Sequence, residues 1–326
     1  EQFILNSSSA TLFSSTETKV FLEEDEADIT IQSKNNKLVF HKNDGILHDF
    51  FIGKKNIIRE GNGFTPNFWR APIDNDFGNE MYLRCKPWRY ASQNRTLIEI
   101  ESSMKNGNAV VKVIYELIDE EKNKMADFTI QYTINGEGSI LVENSLKKTA
   151  EALPETPRVG LNIELIKGMN QVSWYGKGPF ETYWDRKTGA KLGVFDGPVS
   201  DQYWPYIRPQ ENGNKSDVRW LTLSEEKNGH GIRVRGLPTV DFSVHHQIME
   251  DFESLERSDG KQKKGVIVNN RHTIDVVERD LTSLNIDYKQ MGVGGDNSWG
   301  AHTHPEYKLT DKQYYYSFVI ETFSNK

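Results

Sequence analysis

Ala109-Val-Val-Lys-Val-Ile-Tyr-Glu-Leu117 and, after a polar interval, Phe128-Thr-Ile-Gln-Tyr-Thr-Ile134 alternate apolar and polar side chains along both runs. A period of two puts alternate side chains on opposite faces, so each run reads as a strand with one face turned to a core. Asn135-Gly136 supplies a reversal before Ser139-Ile-Leu-Val-Glu143, which starts the next strand. Upstream, Ile29-Thr-Ile-Gln32 and Leu38-Val-Phe-His41 flank Asn35-Asn36 and predict a hairpin. The same alternation returns as separate runs at Gly231–Arg235, Asp241–His245, Ser283–Asp287 and Tyr314–Glu321. Helical periodicity is confined to a turn or two within Asn79–Ala91, interrupted by Pro87. Many strands at short spacing mean an antiparallel all-β architecture, and this pattern suits a barrel as well as a sandwich. No internal repeat is visible.

Composition narrows the function. At 326 residues the chain can bury a self-supporting core. Charged residues make up 27% and the formal net charge is −7, without a basic stripe, which argues against nucleic acid and anionic membranes as partners. Cys85 is the single cysteine, excluding an internal disulfide framework and a cysteine-based zinc site, and it reads as a small semi-buried hydrophobe. No run approaches a membrane span, and no basic-then-apolar signal opens the chain. A soluble protein is expected, cytoplasmic or periplasmic. Residues 7–18 are rich in serine and threonine and read as a linker, with Phe3-Ile-Leu5 as the remnant of a preceding strand. The expected division is therefore a linker over 1–22 and one domain over 23–326.

The chemistry concentrates in four segments. Met291-Gly-Val-Gly-Gly-Asp-Asn-Ser-Trp299 packs glycines ahead of turn-forming Asp296, Asn297 and Ser298, and ends on an indole. Such a turn can hold a flat apolar platform at a pocket rim, where it would meet the C–H face of a galactose ring; a Trp filling the core is the plainer alternative. Phe68-Trp-Arg-Ala-Pro-Ile-Asp-Asn-Asp-Phe-Gly78 clusters Asp74, Asn75 and Asp76, but it lacks the glycine and glutamate of a calcium loop and reads as turn capping, with Arg70 bridging to one of the acids. Trp174-Tyr-Gly-Lys-Gly-Pro-Phe-Glu-Thr-Tyr-Trp-Asp-Arg186 and Asp201-Gln-Tyr-Trp-Pro-Tyr-Ile-Arg-Pro-Gln-Glu-Asn-Gly-Asn214 mix aromatics, arginine and amides, as a sugar groove or a domain interface would. Gly176 and Gly178 lack the context of a phosphate loop. His302, His304 and Glu306 would share one face of an extended strand and could then ligate zinc, although Pro305 weakens that geometry. His245 and His246 point to opposite faces of their strand and cannot chelate together.

These segments, in this order and with Asp217-Val-Arg-Trp220, resemble the C-terminal domain of the large bacterial β-galactosidases of glycoside hydrolase family two, from about Ala27 to the end. The resemblance implies a very large two-layer antiparallel supersandwich akin to galactose mutarotase. It also implies that the two catalytic glutamates of a retaining hydrolase, which must stand roughly 5 Å apart, lie in an (α/β) barrel that precedes this domain. No catalytic residue is then expected in this chain. Matching the Gly-Gly-Asp-x-Ser-Trp motif residue by residue puts substrate stacking on Trp299, with Asp296 and Ser298 beside it. The resemblance further implies Mg²⁺ and Na⁺ in the parent enzyme, bound mainly outside this chain, a homo-oligomeric parent, and the barrel and a galactoside as partners. Two other classes stay open. One is a stand-alone aldose 1-epimerase drafting His245, His246 and Glu250 as acid and base. The other is a non-catalytic carbohydrate-binding module built on Trp299.

Overall fold

The structure, a computed structural model, describes residues 13–226, 229–253, 270–297 and 299–323. A five-stranded antiparallel sheet is formed by β1 (Phe21–Glu24), β2 (Asp28–Gln32), β3 (Asn36–His41), β4 (Leu47–Ile52) and β5 (Lys55–Asn56), in that order. The remaining strands share one large antiparallel sheet. They are β6 (Thr65–Asn67), β7 (Thr96–Lys105), β8 (Asn108–Ile118), β9 (Lys124–Ile134), β10 (Ile140–Lys148), β11 (Arg158–Leu165), β12 (Met169–Gly178), β13 (Lys191–Pro198), β14 (Lys215–Glu225), β15 (Gly231–His245), β16 (Thr282–Gln290) and β17 (Gln313–Phe323). Its order is β13-β12-β14-β15-β17-β10-β9-β8-β7, with β16, β11 and β6 branching from β15.

The alternation in β8 and β9 is what sets the core. Ala109, Val111, Val113, Tyr115 and Leu117 on β8, and Phe128, Ile130, Tyr132 and Ile134 on β9, are all buried. The reversal after β9 closes as expected: the Asn135 side chain accepts from Ser139 N at 3.0 Å, and Gly138 takes φ +91°, a region that favours glycine. Across the core, Phe40 of β3 meets Tyr132 at 5.0 Å between rings, Phe68 after β6 meets Phe128 at 5.4 Å, and the Tyr316 hydroxyl of β17 donates to Ile286 O of β16 at 3.2 Å. One layer is therefore β7–β10 with β17, and the facing layer joins the five-stranded sheet to β6, β11 and β16. The all-β, two-layer expectation holds as a sandwich.

Two local expectations are corrected. Gly231–Arg235 and Asp241–His245 are one strand, not two: the first half of β15 pairs with β17 and the second with β16. Pro238 has no N–H to give the ladder, so the β17 pairing stops at Leu237 and the strand passes to the other layer. Helix begins earlier than expected, with α1 at Asp74–Gly78 and α2 at Met81–Arg84, before a 3₁₀ turn over Lys86–Trp88. Asp76 causes this, because its carboxylate accepts from Ile73 N at 3.1 Å and satisfies a donor that the first turn leaves free. Cys85 is fully buried, and burial pushes its thiol up to about 12, so it serves as packing.

In the serine-rich stretch, Ser14 O accepts from Asn135, the Ser15 hydroxyl from Asn108, and Val20 is buried. Phe3–Leu5 lies outside the described residues. Among the described residues no helix is long and apolar enough to cross a membrane.

Candidate functional site

Leaving β16, the chain enters Met291–Trp299, and three segments far apart in sequence fasten its backbone. From the first, Arg70 donates to Met291 O at 2.6 Å and to Gly292 O at 3.1 Å, while Asn75 donates to Val293 O at 3.0 Å. From the second, Asp185 accepts Val293 N at 3.0 Å on one oxygen and Gly294 N at 2.6 Å on the other. From the third, Tyr307 O accepts Gly292 N at 2.8 Å. The polar groups of a buried backbone need such partners, and here most come from side chains rather than a ladder. Gly292 is required for close approach: a Cβ there would stand 2.3 Å from the Thr303 hydroxyl and 2.6 Å from an Asp185 oxygen. Ile73, Tyr183 and Val293 pack together beneath the loop.

Arg70 itself is wholly buried and holds Asp76 through both carboxylate oxygens at 3.0 Å. The bridge expected from Arg70 to an acid of the Asp-Asn-Asp run is thus to Asp76. Asp74 turns the other way, toward Arg208 at 3.5 Å and the Gln210 amide at 3.2 Å. The run caps and braces, and its carboxylates diverge.

At the loop tip, the Asn297 side chain accepts from Trp299 N at 3.1 Å and Ala301 N at 3.2 Å, which ties the turn. Trp299 is 84% exposed, the reverse of a core-filling role. Asp296 is exposed and bonded to His304 at 2.9 Å; that contact holds the imidazole above its ordinary pKa. Ser298 lies outside the described residues.

His302, His304 and Glu306 do not share a strand face. They occupy a loop running into a 3₁₀ turn at Pro305–Tyr307, with Lys308 within 3.2 Å of the His302 ring and Glu306 3.8 Å from His304. Among the described residues no three His, Cys, Asp or Glu side chains gather as a metal would need. His245 and His246 are both buried and serve different backbone carbonyls, Asn212 O at 3.1 Å and Leu281 O at 2.8 Å. Burial holds His245 down at about 3, so it is neutral and cannot act as an acid near pH 7. Glu250 lines a separate groove with Arg89, Arg95 and Asn285.

Beside the loop lies a cleft of about 180 Å³ that sequence reasoning missed. Ile73, Asp74, Asn75, Glu181, Tyr183, Arg186, Tyr206, Gln210, Glu211 and Val293 line it. Behind its wall, buried Arg158 bonds Glu211 at 3.1 Å and approaches Asp287 at 3.4 Å. Asp185, which carries the loop, was likewise missed as a functional residue. Its only signal was its place inside the Trp174–Arg186 segment. Segments Trp174–Arg186 and Asp201–Asn214 also expose Phe180, Trp204 and Ile207, which favours their reading as a docking face.

Residues 32–320 match the family described as "Beta galactosidase small chain". A β-galactosidase of Priestia megaterium is 34% identical over 98% of this chain, and one of Halalkalibacterium halodurans is 31% identical over 88%. The chain spans 29% and 27% of the lengths of those relatives. Among solved structures, a galactose 1-epimerase from Lactobacillus acidophilus overlaps 96% of this chain and all of its own, at 10% identity and a TM-score of 0.46. By the extent of the family match and the identity to these relatives, the chain belongs to the β-galactosidase small-chain family.

Proposed function

We propose that this chain is the part of a β-galactosidase that packs on a catalytic barrel and lends Trp299 to the mouth of its active site. The observation that carries the reading is an exposed indole at the tip of a loop held from three directions. Leaving so large an apolar ring in water is unfavourable unless a partner or ligand covers it. Against the C–H face of a galactose ring it contributes about 0.5–1.5 kcal/mol beyond area burial. Energy gained at a non-reacting face of the substrate can then be used to orient the bond that breaks. Retaining hydrolysis of terminal β-D-galactosides would rest on two glutamates outside this chain, with Mg²⁺ and Na⁺ held there too.

Two measurements test this. The purified chain should not turn over a chromogenic galactoside; hydrolysis that tracks the protein through purification would overturn the proposal. In the full-length enzyme, Trp299→Ala should lower kcat/KM on β-galactosides on the order of 10- to 100-fold, the sum of lost stacking and lost burial. Stability should stay within about 0.5 kcal/mol, because the ring is exposed. An unchanged kcat/KM would remove Trp299 from the site.

A further inference from the structure

The cleft beside the loop has features that neither the fold nor the Trp299 platform needs. Tyr183 lines it and is only 2% exposed, yet among the described residues its hydroxyl has no hydrogen-bond partner. Leaving a buried hydroxyl unpaired is destabilising by about 1–3 kcal/mol, a cost that a ligand hydroxyl would relieve. Glu211 and Glu181, both cleft residues, act electrostatically on that phenol, and burial with their charge holds its pKa well above the ordinary value. The phenol therefore stays neutral and can donate.

Charge and shape narrow what the cleft could take. Each of its carboxylates already has a guanidinium: Asp74 with Arg208, Glu181 with Arg186, and Glu211 with Arg158. No unpaired charge is left to attract an ion, so the occupant is neutral. The carboxylates still offer acceptor lone pairs to hydroxyl donors. Arg158 Nη2 and Gln290 Nε2 both donate to the same oxygen of Glu211, Oε1. Ile73 and Val293, packed against Tyr183, supply an apolar stretch of the cleft wall. A volume of about 180 Å³ falls below the roughly 300 Å³ at which drug-sized sites begin. One small ring fits, and an oligosaccharide does not.

We propose that this cleft is a second carbohydrate site, taking one neutral monosaccharide whose hydroxyls accept from the Tyr183 phenol and donate to the Glu181 and Glu211 carboxylates. The site stands apart from the Trp299 platform, and the test keeps the two separate. In the Trp299→Ala chain, saturation-transfer NMR with D-galactose should show saturable binding, and glycerol should not compete at equal concentration. Adding Tyr183→Phe should weaken that binding at least threefold, as expected for one lost hydrogen bond to a neutral group. The same change should leave the denaturation midpoint equal or higher, since it deletes a group with no partner among the described residues.

No saturable signal in the Trp299→Ala chain would overturn the site, as would equal competition by glycerol. Unchanged binding after Tyr183→Phe, or a destabilised Tyr183→Phe chain, would show that the hydroxyl serves the fold instead. None of these outcomes bears on whether Trp299 stacks in the parent enzyme.

Discussion

Arg70→Met should destabilise the chain by about 3–5 kcal/mol and release the Met291–Trp299 loop, because it strands a buried carboxylate. Arg70 is wholly buried, its Asp76 partner nearly so, and the pair is joined through two oxygens at 3.0 Å. Two more guanidinium hydrogens reach the carbonyls of Met291 and Gly292. The arginine thus has a fold role, neutralising Asp76, and a site role, holding the loop. A double variant separates them. Arg70→Met with Asp76→Leu removes both charges and should recover most of the stability measured by denaturant unfolding. It should not recover the loop, whose carbonyls still lack their donor. Amide exchange at Val293 and Gly294 should remain faster than in the parent chain. A double variant with native exchange there would mean that Asp185 alone holds the loop.

The second large effect is a pH dependence from two carboxyls set face to face. Asp241 on β15 and Asp287 on β16 are directly opposite in the antiparallel register, and both are buried. Burial pushes Asp287 from 3.8 up to about 8 and Asp241 up to about 7, and each is a like charge to its neighbours. Arg158 pulls Asp287 the other way but is shared with Glu211, so desolvation wins. A carboxyl whose folded pKa is raised contributes stability fully present below its unfolded pKa. That contribution is lost as pH rises through the folded value.

For Asp287 the loss therefore runs from about pH 4 to about pH 8. His245, held down at about 3, works oppositely: its contribution is present above its ordinary 6.5 and lost as pH falls. Comparing Asp287→Asn with the parent chain cancels this background. The difference in unfolding free energy should be flat below about pH 4 and then grow by about 1.4 kcal/mol per pH unit toward pH 8, reaching on the order of 5 kcal/mol. The asparagine chain should be the less pH-sensitive. Parallel stability curves for the two proteins would mean that Asp287 ionises normally in the fold.

Much of this was legible beforehand, and particular residues explain why. The β8 and β9 alternation is a local property of the chain, since side chains two apart must share a face. Asn135 carries its turn chemistry in its own side chain. Trp299 could be singled out because its motif is contiguous. By contrast, β15 read as two strands because alternation does not reveal which partner each half pairs with. Asp74–Asp76 read as turn capping with Arg70 bridging to one acid, but spacing does not say that Asp76 faces Arg70 and Asp74 faces Arg208.

Local periodicity and contiguous motifs, then, determined the all-β class, the reversals, and the segments in which function is concentrated. Tertiary structure alone decided that Asp185, Arg70 and Tyr307 would meet at one loop from positions more than a hundred residues apart. It alone left the Tyr183 hydroxyl without a partner among the described residues and set Asp241 against Asp287. The reason is physical. Alternation is imposed by the geometry of a single backbone, whereas burial, pairing and pKa depend on which distant strands the hydrophobic core draws together.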